Sequence, residues 1–528
     1  MKPVNPNNVA VVALDCYIFS VCLRRLAFVL VSLTVLASPA LAQSADAGAE
    51  PPVGLELPPA PIGLPSGSPS DKAHWLKLQL DAALGDPVFR SALVGVAVSD
   101  VESGKSLYGY NETVLFNPAS NVKLFTTAAA LALLGPEYRW KTALYTDGAL
   151  SGGELKGRLY LKGFGDPTLQ TEDLWRLVSD VAAGGVRRIS GDLAVDDTFF
   201  DDVRLGPGFD QKQEDAPYRA PNGALSLNFN SVSVRVLPAN ADGAPARVVV
   251  DPMSNYFVVH NEVRTAQNGH TQITIELQEQ PGHMELYVRG RVQLGSDGQH
   301  QQRRIVHPDF YAAYTFRELC QKRGIKMSGA VTRKDTPPQA RVLGSHYSQP
   351  LGVAVRDVNK RSNNFMAEQI LKTVGAEVGG RPGSWKKGVD AVAGFLERVG
   401  IAPSAYQMTN GSGLYDSNRF TPAQLVLLLR VAYHDFRYAS DFIGSLGLAG
   451  ADGTVSHRMS GGAAERYVRA KTGTLAGVSC LSGYAGAPGH QPLAFAIFMN
   501  NLPEVATAQA RKIQDRIAEI LATYLSAK

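Results

Sequence analysis

At 528 residues, 45% of them hydrophobic, the chain is too long for one compact domain and apolar enough to bury more than one core. Its formal charge of +4 falls by two if residues 1–42 are removed, because Lys2, Arg24 and Arg25 leave with Asp15, and so small a charge argues against a nucleic-acid partner. Two of the four cysteines lie in that leader; Cys320 and Cys480 are expected as buried thiols, since a chain of this size builds its core without disulfides.

In chain order, the first signal is secretory. Arg24-Arg25 precede an apolar run from Leu26 to Leu36, and Ala40-Leu41-Ala42 offers a small-x-small cleavage site. The run is too short to span a bilayer stably, so residues 1–42 are read as a signal peptide and the mature chain as periplasmic, with no later span. Residues 43–70, rich in Pro, Gly, Ala and Ser, read as a linker.

Near residue 120 the sequence predicts a helix. Asn117 suits the N-cap and Pro118 the first helical position, Leu124 to Leu134 is Ala/Leu-rich, and Gly135 can end it. Ser120 and Lys123 then share one helix face in the first turn, where the helix dipole favours an alkoxide and disfavours an ammonium. A serine hydroxyl becomes a nucleophile when a base removes its proton, and a neutral lysine can be that base. A long stretch follows before the next motif. Within it Gly157 to Lys162, Gln272 to Leu277 and Glu285 to Val288 alternate like strands, and Val248-Val249-Val250 suits a buried one. Ser362-Asn363-Asn364 stands at a helix start before Phe365 to Leu371, and Tyr467 to Ala470 reads as an extended segment running into Lys471-Thr472-Gly473-Thr474.

S-x-x-K, S-x-N and K-T-G are weak singly, and S-x-x-K recurs at Ser384 to Lys387. Their order and local contexts together carry the reading. The spacing is uneven, 242 residues from Ser120 to Ser362 but 109 from Ser362 to Lys471, so an insertion separates the first two motifs. Asp166 before Pro167 and Asp452 before Gly453 read as turn formers, and Gly411-Ser412-Gly413 as a backbone device on the cleft floor. No His or Cys pattern suggests a metal site, and no cofactor is expected.

With these motifs, and with Gly163 to Leu169, Leu225 to Ser231, Gly411 to Leu414 and Leu448 to Thr454, the chain resembles the class C low-molecular-mass penicillin-binding proteins, the D-alanyl-D-alanine carboxypeptidase/endopeptidase family of the penicillin-binding protein 4 type. The resemblance implies an α/β fold. A transpeptidase/β-lactamase-like domain, helices packed on an antiparallel sheet, would comprise residues 71–140 and 343–528. It would be split by a mostly β two-lobe insertion: a second domain at 141–169 and 251–342, and a third at 170–250 inside it.

The same resemblance implies that Ser120 is acylated with Lys123 as its base, and that Ser362 and Lys471 complete the proton network. Asn364 would hold the substrate amide. The N–H groups of Ser120 and Thr474 would form an oxyanion hole, with the hydroxyls of Thr472 and Thr474, flanking Gly473, receiving the terminal carboxylate. Substrates would be peptidoglycan stem peptides ending in D-Ala-D-Ala, with β-lactams as covalent inhibitors and endopeptidase action on cross-links. One departure is Asp416, where relatives commonly carry an Arg that can meet the acidic side chain of diaminopimelate; the stretch Phe209 to Asp215 corresponds to another part of that pocket. The competing functions are a serine β-lactamase, disfavoured by the insertion, and a non-hydrolytic penicillin-binding scaffold or sensor, disfavoured by the intact Ser120, Lys123 and Lys471.

Overall fold

The computed structural model describes residue 63, residues 65–213 and residues 215–527. The expected signal peptide and most of the expected linker lie outside the described residues.

A six-stranded antiparallel sheet forms the frame, with Gly447–Leu448, Val468–Leu475, Val478–Ala487, His490–Asn500, Leu93–Asp100 and Ser106–Tyr110 side by side in that order. Both faces are covered, which explains why His490–Asn500 is apolar at every position from Leu493 to Met499. Alternate side chains serve two different cores. Val94, Val96, Val98, Phe495 and Ile497 belong to the core shared with the terminal helices Pro69–Leu84 and Thr507–Ser526. Ala97, Ala494, Ala496 and Phe498 belong to the other, shared with Val122–Leu134, Asn364–Gly379 and Pro422–His434. This second helical layer carries the reactive groups.

The insertion has its own core. A mixed five-stranded sheet runs Val331–Arg333, Leu193–Asp196, Leu159–Gly163, Lys141–Thr146, Arg341–Tyr347, with helices Thr171–Ala183 and Pro308–Lys322 in the same core. Two three-stranded sheets follow, one of Arg247–Asp251, Ser231–Leu237 and Gln299–Arg304, the other of Phe257–Ala266, His283–Gln293 and Gln272–Gln280. These pairings cross the limits drawn from sequence. Leu193–Asp196, which the limits assign to the third domain, bonds to Leu159–Gly163 and Val331–Arg333 of the second, and the limit between 250 and 251 cuts Arg247–Asp251. Arg341–Tyr347 likewise pairs with Lys141–Thr146, so the chain leaves this sheet after Tyr347 and not at 343. Hydrogen-bond partners far along the chain decide such limits, and spacing does not show them. The expectation that Val248 to Val250 is buried is also corrected: the three are only half-buried, because their strand is the sheet edge.

Cys320 and Cys480 are free buried thiols, on a helix and a strand. Asp166 and Asp452 shape turns. Asp166 Oδ1 accepts from Thr168 N at 2.8 Å, and Asp452 Oδ1 from Leu448 N at 2.8 Å. Among the described residues no helix is long and apolar enough to cross a membrane, and no cluster of His, Cys, Asp or Glu could hold a metal ion.

Candidate active site

The first motif begins one turn later than expected. Asn117 Oδ1 does cap the backbone, accepting from Ala119 N at 2.9 Å, but Ala119–Asn121 forms a tight 3-10 turn and the α-helix starts at Val122. Ala119 holds φ +46, a left-handed conformation that a non-glycine residue adopts only at a cost. Ser120, half-buried, sits in that turn, and Lys123, fully buried, lies in the first turn of the following helix.

Lys123 Nζ has three oxygen neighbours: Ser120 Oγ at 2.9 Å, Asn364 Oδ1 at 2.6 Å and the Ser412 carbonyl at 2.6 Å. Two of the three only accept. A neutral amine has two N–H donors and one lone pair, so Asn364 and Ser412 take the donors and the lone pair faces the Ser120 hydroxyl. The electrostatics agree. Burial holds the Lys123 ammonium well below the usual lysine range, the like charge of Lys471 adds to this, and Glu368 opposes it.

The second motif is the junction of two helices, Leu351–Arg361 and Asn364–Gly379. Ser362 takes the left-handed conformation (φ +56) that ends the first, and Asn363 Oδ1 caps the second by accepting from Met366 N at 3.0 Å. The sharp turn aims Ser362 and Asn364 differently. Ser362 Oγ accepts from Lys471 Nζ at 2.8 Å, while Asn364 reaches Lys123 and donates Nδ2 to the Tyr218 carbonyl of the insertion at 3.2 Å.

The third motif lies on Val468–Leu475. Lys471 is fully buried, and its Nζ also donates to the Thr472 carbonyl at 2.8 Å. Thr472 and Thr474 share one face of the strand, and Lys471 and Gly473 the other. The glycine has a steric reason: a Cβ at 473 would lie 2.8 Å from the Pro118 carbonyl oxygen and 3.2 Å from Ala119 Cβ. Only a residue without a side chain lets this strand close against the Ser120 turn. Thr472 Oγ1 lies 2.8 Å from Thr454 Oγ1, a contact that motif reading did not predict.

Asp416 is exposed and stands apart from the lysine network. Its Oδ1 accepts from Arg419 Nη1 at 2.6 Å and from Asn117 Nδ2 at 3.0 Å, and Arg419 holds its carboxyl below the usual range. Its N–H donates to Gln211 Oε1 at 3.2 Å, so the stretch Phe209 to Asp215 does reach this loop; Glu214 lies outside the described residues. Phe209 packs edge-on against Tyr415, ring centres 6.0 Å apart. The Asp416 charge is therefore paired with Arg419. Glu368 is a buried carboxylate that motif reading also passed over, although it stands one helical turn after Asn364.

Residues 76–524 match the D-Ala-D-Ala carboxypeptidase 3 (S13) family. The chain is 35% identical over 491 residues to a D-alanyl-D-alanine carboxypeptidase of Actinomadura sp. (strain R39), covering 89% of this chain and 90% of that one. It is 26% identical over 415 residues to a D-alanyl-D-alanine carboxypeptidase of Haemophilus influenzae, covering 77% and 85%. The crystal structure of penicillin-binding protein 4 from Haemophilus influenzae superposes with a TM-score of 0.71 at 25% identity, covering 84% of this chain and 97% of that one. The fold, mixed α/β with helices on an antiparallel sheet, agrees with that neighbour. The chain belongs to the D-Ala-D-Ala carboxypeptidase 3 (S13) family and is a serine-type D-Ala-D-Ala carboxypeptidase.

Proposed function

We propose that the enzyme removes the terminal D-Ala from peptidoglycan stem peptides through an acyl-enzyme on Ser120, that it also cuts cross-links by the same steps, and that penicillins inhibit it by acylating the same oxygen. The observation that carries this reading is the set of partners around Lys123 Nζ: two carbonyl oxygens and one serine hydroxyl. The lone pair takes the Ser120 proton as Oγ attacks the carbonyl of the penultimate D-Ala. The N–H groups of Ser120 and Thr474 receive the developing oxyanion, a contribution of about 3–4 kcal/mol per donor in other enzymes. The Lys471–Ser362 pair, 2.8 Å apart, passes a proton to the leaving amine. Water then attacks the ester: its proton restores the Lys471–Ser362 pair, and Lys123 returns to Ser120 Oγ the proton it took. Lys471, Thr472 and Thr474 select a substrate with a free terminal carboxylate, Asn364 holds the amide before it, and Gly473 lets the strand approach.

Asp416 shapes the subsite for the third stem residue, and its pairing with Arg419 sets how a side-chain carboxylate is received there. Residues 1–42 are a cleaved export signal and the mature enzyme works in the periplasm, so N-terminal sequencing of the exported protein should begin near Gln43. A start upstream of Leu26 in a membrane-bound form would refute the cleavage.

The decisive experiment incubates the protein with a D-Ala-D-Ala peptide and with a fluorescent penicillin. Release of D-Ala with slow drug turnover supports the carboxypeptidase reading, fast drug turnover supports a β-lactamase, and neither supports a scaffold. Ser120→Ala should abolish release and labelling with the fold intact, and mass spectrometry should locate the adduct on the peptide containing Ser120. An adduct on Ser362, Ser384 or Ser412 overturns the assignment.

A further inference from the structure

We propose that Glu368 is a positioning residue for this reaction: its carboxylate aims the Ser412 carbonyl at Lys123 and balances the ammonium that forms when Lys123 takes the Ser120 proton. This rests on the reading of Lys123 as the base.

Glu368 is completely buried. Its Oε1 accepts from Ser412 N at 2.8 Å, and its Oε2 from Gly411 N at 2.9 Å and Trp385 Nε1 at 2.7 Å. Three N–H donors on two oxygens call for an ionised carboxylate, because a carboxyl O–H would face a donor. Every one of those donors is neutral, and no ion pair with Glu368 occurs among the described residues. A buried charge without a bonded cation is costly, so a structural role alone would be served better by an uncharged group.

The geometry explains the charge. Glu368 grips the 410–411 and 411–412 peptides, directly before the peptide that carries the Ser412 carbonyl, and that carbonyl lies 2.6 Å from Lys123 Nζ. As Nζ becomes an ammonium this contact becomes charge-assisted, and the negative charge one peptide behind it stabilises the product of proton transfer.

Of the other charged groups on the surrounding elements, Lys471 acts on Lys123 directly and most of the rest have partners of their own. The helix Val122–Leu134 has no charged residue besides Lys123. On the helix of Glu368, Lys372 is held by Asp201 Oδ1 at 2.7 Å, and Glu377 lies further along against Arg381 and Tyr138. The strand Val468–Leu475 brings Lys471, whose like charge opposes protonation of Lys123, and Arg469. In the loop beyond Ser412, Asp416 pairs with Arg419. On Trp385–Val399, Lys386 pairs with Asp390 and Lys387 with backbone carbonyls; on Leu351–Arg361, Lys360 pairs with Asp452 and Arg361 with Asp357. Glu368 is thus the anion coupled to the lysine.

The test is the pH profile of the second-order rate constant for labelling by a fluorescent penicillin, in wild type, Glu368→Gln and Trp385→Phe, with thermal melting to establish folding. The acid limb reports the base in the free enzyme. Without the anion, Lys123 is harder to protonate, so Glu368→Gln should move that limb to lower pH by about half a unit to one unit and lower the plateau at least about tenfold. Trp385→Phe removes one donor but keeps the charge, so its limb should stay in place. A folded Glu368→Gln enzyme with an unmoved limb overturns the proposal, as does a Trp385→Phe limb that moves equally. If Glu368→Gln does not fold, Glu368→Asp keeps the charge on a shorter arm: a retained limb with a lower plateau supports the proposal, and a shifted limb overturns it. Lys123→Ala separates the underlying reading, because labelling by that variant with a wild-type profile removes Lys123 as the base whatever Glu368 does.

Discussion

Gly413 is where the cleft floor meets the nucleophile turn, and Gly413→Ala should disable the site through geometry alone. Its φ is +74, and a Cβ there would lie 1.9 Å from the Ala119 carbonyl oxygen and 2.6 Å from its carbon. A carbon–oxygen contact normally keeps about 3.3 Å, so the two backbones must part by more than about 1 Å. Ala119 cannot yield quietly, since it already holds φ +46 and its carbonyl leads directly into Ser120. A displacement of about 1 Å between reacting groups costs on the order of 100-fold in rate, or about 2.7 kcal/mol of transition-state stabilisation. Left-handed φ adds about 1–2 kcal/mol of lost stability for any L-alanine. Gly477→Ala separates the two effects, because Gly477 has φ +70 but its Cβ would meet nothing closer than the Leu502 carbonyl oxygen at 3.4 Å. Labelling rates with a fluorescent penicillin, measured beside thermal melts, should show Gly477→Ala destabilised but labelling normally. Gly413→Ala should remain folded and label about 100-fold more slowly. Wild-type labelling by Gly413→Ala would refute the argument that this approach sets the Ser120 turn.

Asp416→Asn releases Arg419 from a partly exposed ion pair, so turnover of a stem pentapeptide with free diaminopimelate should rise about two- to fivefold relative to the amidated form; an unchanged ratio places both residues outside the subsite. Thr454→Val removes the partner of the Thr472 hydroxyl and should raise KM for D-Ala-D-Ala peptides about two- to tenfold with melting unchanged, whereas an unaltered KM would show that Thr472 needs no such support. Burial raises the Asp166 carboxyl to about 6, against the opposing hydrogen bonds from Thr168, while the unfolded group titrates near about 3.9. The folded state therefore binds the extra proton between those values, and this group adds stability as the pH falls through 6 and loses it above. Asp166→Asn should then gain stability over wild type as the pH rises from 5 to 8, by about 1.4 kcal/mol in urea unfolding; a gain independent of pH would contradict this.

Much of the site was legible because its first ingredients are local. Ser120 and Lys123 stand a helical turn apart, Ser362 and Asn363 end one helix and cap the next, and Lys471 follows an extended run; such features depend on neighbours within four residues, which sequence spacing records directly. The alternation that fills two cores from one sheet is local in the same sense. Other features depended on contacts that no spacing encodes. The Lys123 ammonium is disfavoured by complete burial and by Lys471, and its lone pair is directed by acceptors 241 and 289 residues away in the chain. The pairing of Asp416 with Arg419, the edge position of Val248 to Val250 and the grip of Glu368 on the Ser412 peptide likewise arise from packing. Sequence by itself determined which groups could react. Tertiary structure alone decided their protonation and aim, because desolvation and hydrogen-bond geometry are properties of the folded surroundings and not of the residue.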